Sequence, residues 1–159
     1  MSGKSIELTI RKRYSCRSYK PVSLTSEDRR RVSDLVSHDI NGPFGSSAKF
    51  SFFAAEGGES DELKGLGTYG FIKNPAAFIP GVIKDEGMNL EDYGYLVEKM
   101  ILQITNMGLG TCWLGGSFRR SRFAAKAGIA GDEIMPAVVS VGYIADKKTV
   151  TERLIRAGA

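Results

Sequence analysis

Between Asn89 and Met107, apolar side chains fall at Leu90, Tyr93, Val97, Met100, Ile101, Ile104 and Met107, mostly three or four residues apart. That recurrence is the period of an amphipathic helix. Leu96 widens the stripe, so the helix must lie centrally with much of its circumference covered by the rest of the chain. Gly108 and Gly110 predict its end, because glycine readily takes the left-handed conformation that closes a helix. Thr111 to Leu114 (TCWL) then predicts a short strand. Pro136 to Ile144 (PAVVSVGYI) predicts a nearly continuous apolar one, buried on both faces.

The other elements are arranged around this helix. A first helix is expected over Ser5 to Tyr14, and Pro21 blocks any helix there. A second runs from Ser26 to Ser37, capped by Thr25 or Ser26, with Glu27 and Asp28 at its positive end and Val32, Leu35 and Val36 as its buried stripe. Asn41 to Ser47 reads as a loop, Lys49 to Glu56 as a strand and Gly57 to Lys64 as a polar turn. Ala76 to Lys84 reads as a strand whose Pro80 predicts an edge position or a bulge. Phe118 to Ala127 predicts a short basic helix closed by Gly128, and Thr149 to Arg156 a last helix. Helices and strands intermix, so the class is α+β or α/β.

A chain of 159 residues is expected to form one domain, 1–159. Hydrophobic content of 42% and charged content of 25% are those of a soluble globular protein, and no stretch reaches the length of a membrane span. The first residues carry no apolar leader. Cys16 and Cys112 are far apart in sequence, which fits reduced thiols and a cytoplasmic location. One histidine, His38, and scattered carboxylates supply no metal-ligand spacing. The net charge of +4 favours anionic partners without selecting between small molecules and nucleic acid.

Candidate chemistry concentrates in Arg13-Tyr14-Ser15-Cys16-Arg17-Ser18-Tyr19. Two arginines four apart with a serine midway offer forked cationic donors and a hydroxyl, the set a phosphate requires. A solvated charged face is the plainer explanation, but Tyr14, Cys16 and Tyr19 interleave with the polar residues. Gly65-Leu66-Gly67-Thr68-Tyr69-Gly70 matches a dinucleotide fingerprint literally. A polar segment precedes it and Pro75 blocks the helix that should follow, so a loop is favoured. Gly115-Gly116 follows the strand bearing Cys112 and Trp113; it is either a simple turn or a place where backbone N–H groups meet a planar ligand. Cys112 as a nucleophile and His38 as a base both lack an assigned partner, and Arg119, Arg120 and Arg122 fit a surface helix.

Taken in order, Ile10 to Tyr19, Leu102 to Gly116 (LQITNMGLGTCWLGG) and Pro136 to Lys147 (PAVVSVGYIADK) resemble three motifs of the flavin-dependent nitroreductase family. The resemblance implies an α+β fold, a nitroreductase-like, mostly antiparallel sheet flanked by helices, with FMN bound non-covalently. It implies that Arg13, Ser15 and Arg17 hold the FMN phosphate, ribityl chain and pyrimidine edge, with Tyr14 beside them. Leu114, Gly115 and Gly116 would present N–H groups near the flavin N5/O4 edge. NAD(P)H would reduce the flavin, which would then reduce a nitroaromatic, quinone or similar acceptor in a ping-pong sequence. The cofactor would carry the hard chemistry, so an acid–base triad is not required.

Two departures accompany the resemblance. Asn41-Gly42-Pro43-Phe44-Gly45 stands where many members have an Asn-x-Gln-Pro-Trp-like segment touching the flavin. The chain also ends at Leu154 to Ala159 before a basic pair expected near the phosphate is evident. Both features suit a subgroup with two family-like halves in one chain, or a homodimer in which a second copy completes the pocket. A flavin- or nucleotide-binding module without turnover is the alternative function. A nucleic-acid binder stacking bases on Phe44, Phe50, Phe52 and Phe53 is a third, disfavoured because their pattern suits a strand core.

Overall fold

The structure is a computed structural model that describes residues 3–37, 40–55, 72–115, 128–129 and 131–146. Within these lie helices α1 (Gly3–Lys12), α2 (Ser26–Val36) and α3 (Asn89–Asn106). The strands are β1 (Ile40–Asn41), β2 (Ser47–Phe50), β3 (Phe53–Ala54), β4 (Ala77–Lys84), β5 (Gly110–Leu114), β6 (Glu133–Ile134) and β7 (Val138–Gly142). The sheet order is β1-β2-β4-β7-β5, with β3 and β6 also paired to β4. Every ladder is antiparallel. The class is α+β, an antiparallel sheet flanked by helices. The helices expected over Phe118–Ala127 and Thr149–Arg156 and the turn over Gly57–Lys64 lie outside the described residues.

Helix α3 packs as its stripe demands. Tyr93, Leu96, Val97, Met100, Ile101 and Ile104 are buried against Ala77, Ile79 and Ile83 of β4 and Val139 and Val141 of β7. The Tyr93 hydroxyl donates to the Ala137 carbonyl at 2.6 Å and lies 3.3 Å from the Gly81 carbonyl, so it needs no water. Burial pushes its pKa above the ordinary tyrosine value. Helix α2 contributes buried Val32 and Val36 to the same cluster. Its N-terminus is capped by Thr25, whose hydroxyl accepts from the Asp28 N–H at 3.1 Å.

The first turn of α3 departs from the apolar pattern. Leu90 is exposed, whereas Asn89 and Asp92 are buried. The Asp92 carboxylate accepts the Phe44 and Ser46 N–H groups, each at 2.8 Å, and so clamps the turn between β1 and β2 onto the helix. A Cβ at Gly42 would collide with this carboxylate, which is why the turn carries glycine there. Burial alone would raise the Asp92 pKa, but the hydrogen bonds from Phe44 and Ser46 outweigh it, and the value falls below the usual carboxylate range.

Three expectations are corrected. Pro80 is not at an edge: β4 is central, paired to β2 and β3 on one side and to β7 and β6 on the other. The expected Lys49–Glu56 strand is instead divided into β2 and β3, and Ser51 and Phe52 fall between them. Ser51 N–H donates to the Pro80 carbonyl at 3.0 Å, and proline has no N–H to return the bond, so the ladder lapses there without a change of register. Gly108, with φ of 85°, ends α3 as expected. Gly110 does not; it belongs to β5 and faces Gly142 of β7. No described helix is long and apolar enough to cross a membrane.

Two outcomes are expected. The folded Asp92 carboxyl binds its proton less tightly than the ordinary value of 3.8. Its stabilising effect is therefore complete above that value and is lost as the pH falls through the lower folded pKa. Urea midpoints measured against pH should show this acid loss in the parent chain and a flatter profile in Asp92→Asn; identical profiles would count against the clamp. At Gly142, an added Cβ would sit 2.9 Å from the Tyr19 ring and 3.2 Å from the Ala76 backbone nitrogen. Gly142→Ala should then cost about 1–3 kcal/mol in equilibrium unfolding, the usual penalty of overpacking.

Candidate functional site

The Arg13–Tyr19 segment leaves α1 and becomes extended. The Arg13 N–H closes the last helical turn onto the Thr9 carbonyl at 2.9 Å. Ser15 then pairs with Thr111 of β5 in a parallel bridge, Ser18 with Lys73, and Tyr19 with Ile144. The backbone bonds are short: Cys16 N–H to the Thr111 carbonyl at 2.8 Å, Tyr19 N–H to Lys73 at 3.0 Å, Lys20 N–H to Tyr143 at 2.8 Å. Side chains alternate along an extended chain. Tyr14 and Cys16 join the cluster containing Phe78, Cys112, Leu114 and Val138. Arg13, Ser15 and Arg17 stay half-buried. The interleaving seen in the sequence is thus a sorting of anchors from polar groups.

Glycine makes that anchoring possible. A Cβ at Gly110 would lie 2.9 Å from Cys16 Cβ and Sγ, and one at Gly142 2.9 Å from the Tyr19 ring. The Tyr19 hydroxyl lies 2.8 Å from Ser140 Oγ and is fully buried. From the motif ending in Gly142-Tyr143, the Tyr143 hydroxyl donates to Asp28 at 2.6 Å and accepts the Thr25 N–H at 3.2 Å, tying the segment to the head of α2.

The polar groups meet on one side of β5. Arg13 Nε lies 3.2 Å from Glu98 Oε1 of α3. The Trp113 indole N–H donates to Glu98 Oε2 at 3.0 Å. Arg17 Nη1 lies 3.4 Å from the Ser15 carbonyl. Beside Ser15, the Thr111 hydroxyl is the buried side-chain polar atom that finds no hydrogen-bond partner among the described residues. At the other end of β5, Leu114 is buried in the sheet and Gly115 is exposed, with no atom of the described residues other than its chain neighbours within 4 Å of where its Cβ would stand. Leu114 lies three positions after Thr111, about 10 Å of strand. β5 therefore has the hydroxyl-bearing residues Ser15 and Thr111 near its start and an exposed glycine just past its end.

Not every expected residue joins this site. Gly116, His38, the Gly65–Gly70 run and Arg119, Arg120 and Arg122 lie outside the described residues. Asn41–Gly45 belongs to the β1–β2 hairpin, at the edge of the sheet opposite β5. Cys112 is buried in the apolar cluster, which supports a core role over a nucleophilic one. Glu98 and Thr111 were not legible as site residues: Glu98 lies off the apolar stripe, and Thr111 reads as an ordinary strand residue.

A family model described as "Putative TM nitroreductase" matches residues 5–157. The chain belongs to this nitroreductase family. No curated protein matches it. Solved structures share its fold. A nitroreductase family protein from Clostridium novyi NT superposes with a TM-score of 0.67 at 20% identity, over 91% of this chain and 89% of that one. An FMN-dependent nitroreductase from Clostridium difficile R20291 gives 0.68 at 18% identity, over 89% and 88%. An oxidoreductase containing FMN gives 0.70 at 16% identity, over 87% and 76%. The nitroreductase-like fold read from the three motifs is therefore the fold observed, and family membership supports a general oxidoreductase role.

The unpaired Thr111 hydroxyl yields a test of the site's polarity. An unsatisfied buried hydroxyl is costly, so the isosteric Thr111→Val change should leave the stability of the nitroreductase chain unchanged or raise it by up to about 1 kcal/mol in urea unfolding. A clear loss would show that the hydroxyl is bonded in solution.

Proposed function

We propose that this chain is a cytoplasmic, FMN-dependent oxidoreductase that transfers hydride from NAD(P)H to a nitroaromatic, quinone or similar acceptor. The observation that carries the reading is the pairing of Ser15, which Arg13 and Arg17 flank in sequence, with Thr111 near the start of β5, while Leu114 and Gly115 stand at the strand's other end. When bound, FMN supplies the hydride chemistry, accepting from the nicotinamide and delivering to the acceptor in ping-pong order. Arg13 and Arg17 neutralise the phosphate, and their planar forks suit its oxygens. Ser15 offers a hydroxyl between them, and Thr111 a buried hydroxyl with spare bonding capacity. Tyr14 and Cys16 hold this segment to the sheet. Gly115, with Gly116 beyond it, lets a planar ring approach the backbone, and N–H groups from Leu114 to Gly116 stabilise negative charge at the ring's polar edge.

A second copy of the chain, or a second family-like half, completes the pocket. Ile6, Leu8 and Ile10 of α1 and Tyr95 of α3 are exposed apolar residues. Ile6 and Tyr95 border a groove of about 680 Å³ with Leu102 and Met107. Unpartnered apolar surface of this kind favours association. The hairpin at Asn41–Gly45, at the sheet edge opposite β5, would then serve the site of the other copy.

Purified protein should be yellow, with flavin absorbance that bleaches on addition of NAD(P)H. Flavin without bleaching would favour a binding module that does not turn over. Replacing Arg13 and Arg17 together by alanine should abolish flavin retention while the circular dichroism and melting transition persist. Stoichiometric FMN in that double variant would reject the assignment of the phosphate grip.

A further inference from the structure

Glu98 lies on α3, outside the motifs that point to the cofactor, yet it joins two elements of the site. One carboxylate oxygen lies 3.2 Å from Arg13 Nε, and the other accepts the Trp113 indole N–H at 3.0 Å. Arginine presents five donors in one rigid plane. With the carboxylate beside Nε, that side of the plane faces α3, and the terminal Nη1–Nη2 end is left for a second partner. Trp113 has a donor and no acceptor, and its backbone is locked in β5 opposite Val139. It therefore fixes the carboxylate rather than competing with it. The side chains of Arg13 and Glu98 are 28% and 40% exposed, so the ion pair contributes little to stability and its value lies in orientation.

We infer that Glu98 is a positioning residue for Arg13, turning the guanidinium so that its Nη end meets the phosphate of FMN. The inference rests on the FMN reading above. It also has a definite opposite. If Glu98 merely competed with the phosphate for Arg13, removing it would tighten flavin binding.

The test is titration of the full chain, freed of flavin, with FMN and with riboflavin, which has the same ring and ribityl chain but no phosphate. Glu98→Ala should weaken FMN roughly tenfold, the scale of one misdirected charge-assisted hydrogen bond. Riboflavin affinity should stay within about twofold, since an exposed ion pair adds little by itself. Glu98→Gln keeps the volume and an acceptor oxygen; it should show a smaller loss in the same direction and serves as the readout if the alanine variant does not fold. Arg13→Ala combined with Glu98→Ala should bind FMN no more weakly than Arg13→Ala alone. Unchanged or tighter FMN binding in the Glu98 variants, equal losses for FMN and riboflavin, or additive losses in the double variant would each overturn the inference while leaving the FMN reading intact. A parent chain that binds neither flavin would overturn both.

Discussion

The close approach of backbone to sheet at Gly110 and Gly142 is the constraint on which the rest of the site depends. These glycines face each other across β5 and β7, and any Cβ on either would press into Cys16 or Tyr19. Because both positions are bare, the segment after α1 lies directly on the sheet. Tyr19 then reaches Ser140 with its hydroxyl, and Cys16 takes the Thr111 carbonyl with its N–H. Two buried anchors spaced three residues apart leave little freedom to what lies between and before them. Arg13, Ser15 and Arg17 are therefore held by packing that their own charges do not supply.

The site also shows how a weakly attractive ion pair can matter. Glu98, Arg13 and Trp113 come from α3, the end of α1 and β5, and meet at a partly exposed point where Coulomb attraction is screened. The same three groups in fixed directions can still define where a guanidinium points. A flavin enzyme requires of its protein chiefly such directions, since the cofactor carries the bond-making chemistry.

Much of the fold was legible because it rests on periodicity. The stripe of α3, the cap at Thr25 and the unbroken apolar run of β7 follow from local spacing and chemistry. The readings that failed involved partners distant in sequence. Pro80 suggested an edge or a bulge, but a missing N–H removes one ladder bond without a change of register, and a central strand bonded on two sides tolerates that loss. Gly110 suggested a helix terminator, but its bareness serves Cys16. Asp92 sits among apolar neighbours on α3 and is buried because two amides of the β1–β2 turn satisfy it, which no pattern within the helix announces.

By itself the sequence determined the stripe of α3, the cap of α2, the buried run of β7 and the family, because each depends on neighbours within a few positions or on motifs in order. Only the tertiary structure decided that Ser15 pairs with Thr111, that Arg13 and Trp113 converge on Glu98, and that Asn41–Gly45 stands at the far edge of the sheet. Those facts follow from strand order and helix packing, which bring together residues nearly a hundred positions apart and separate others that adjoin the same motif.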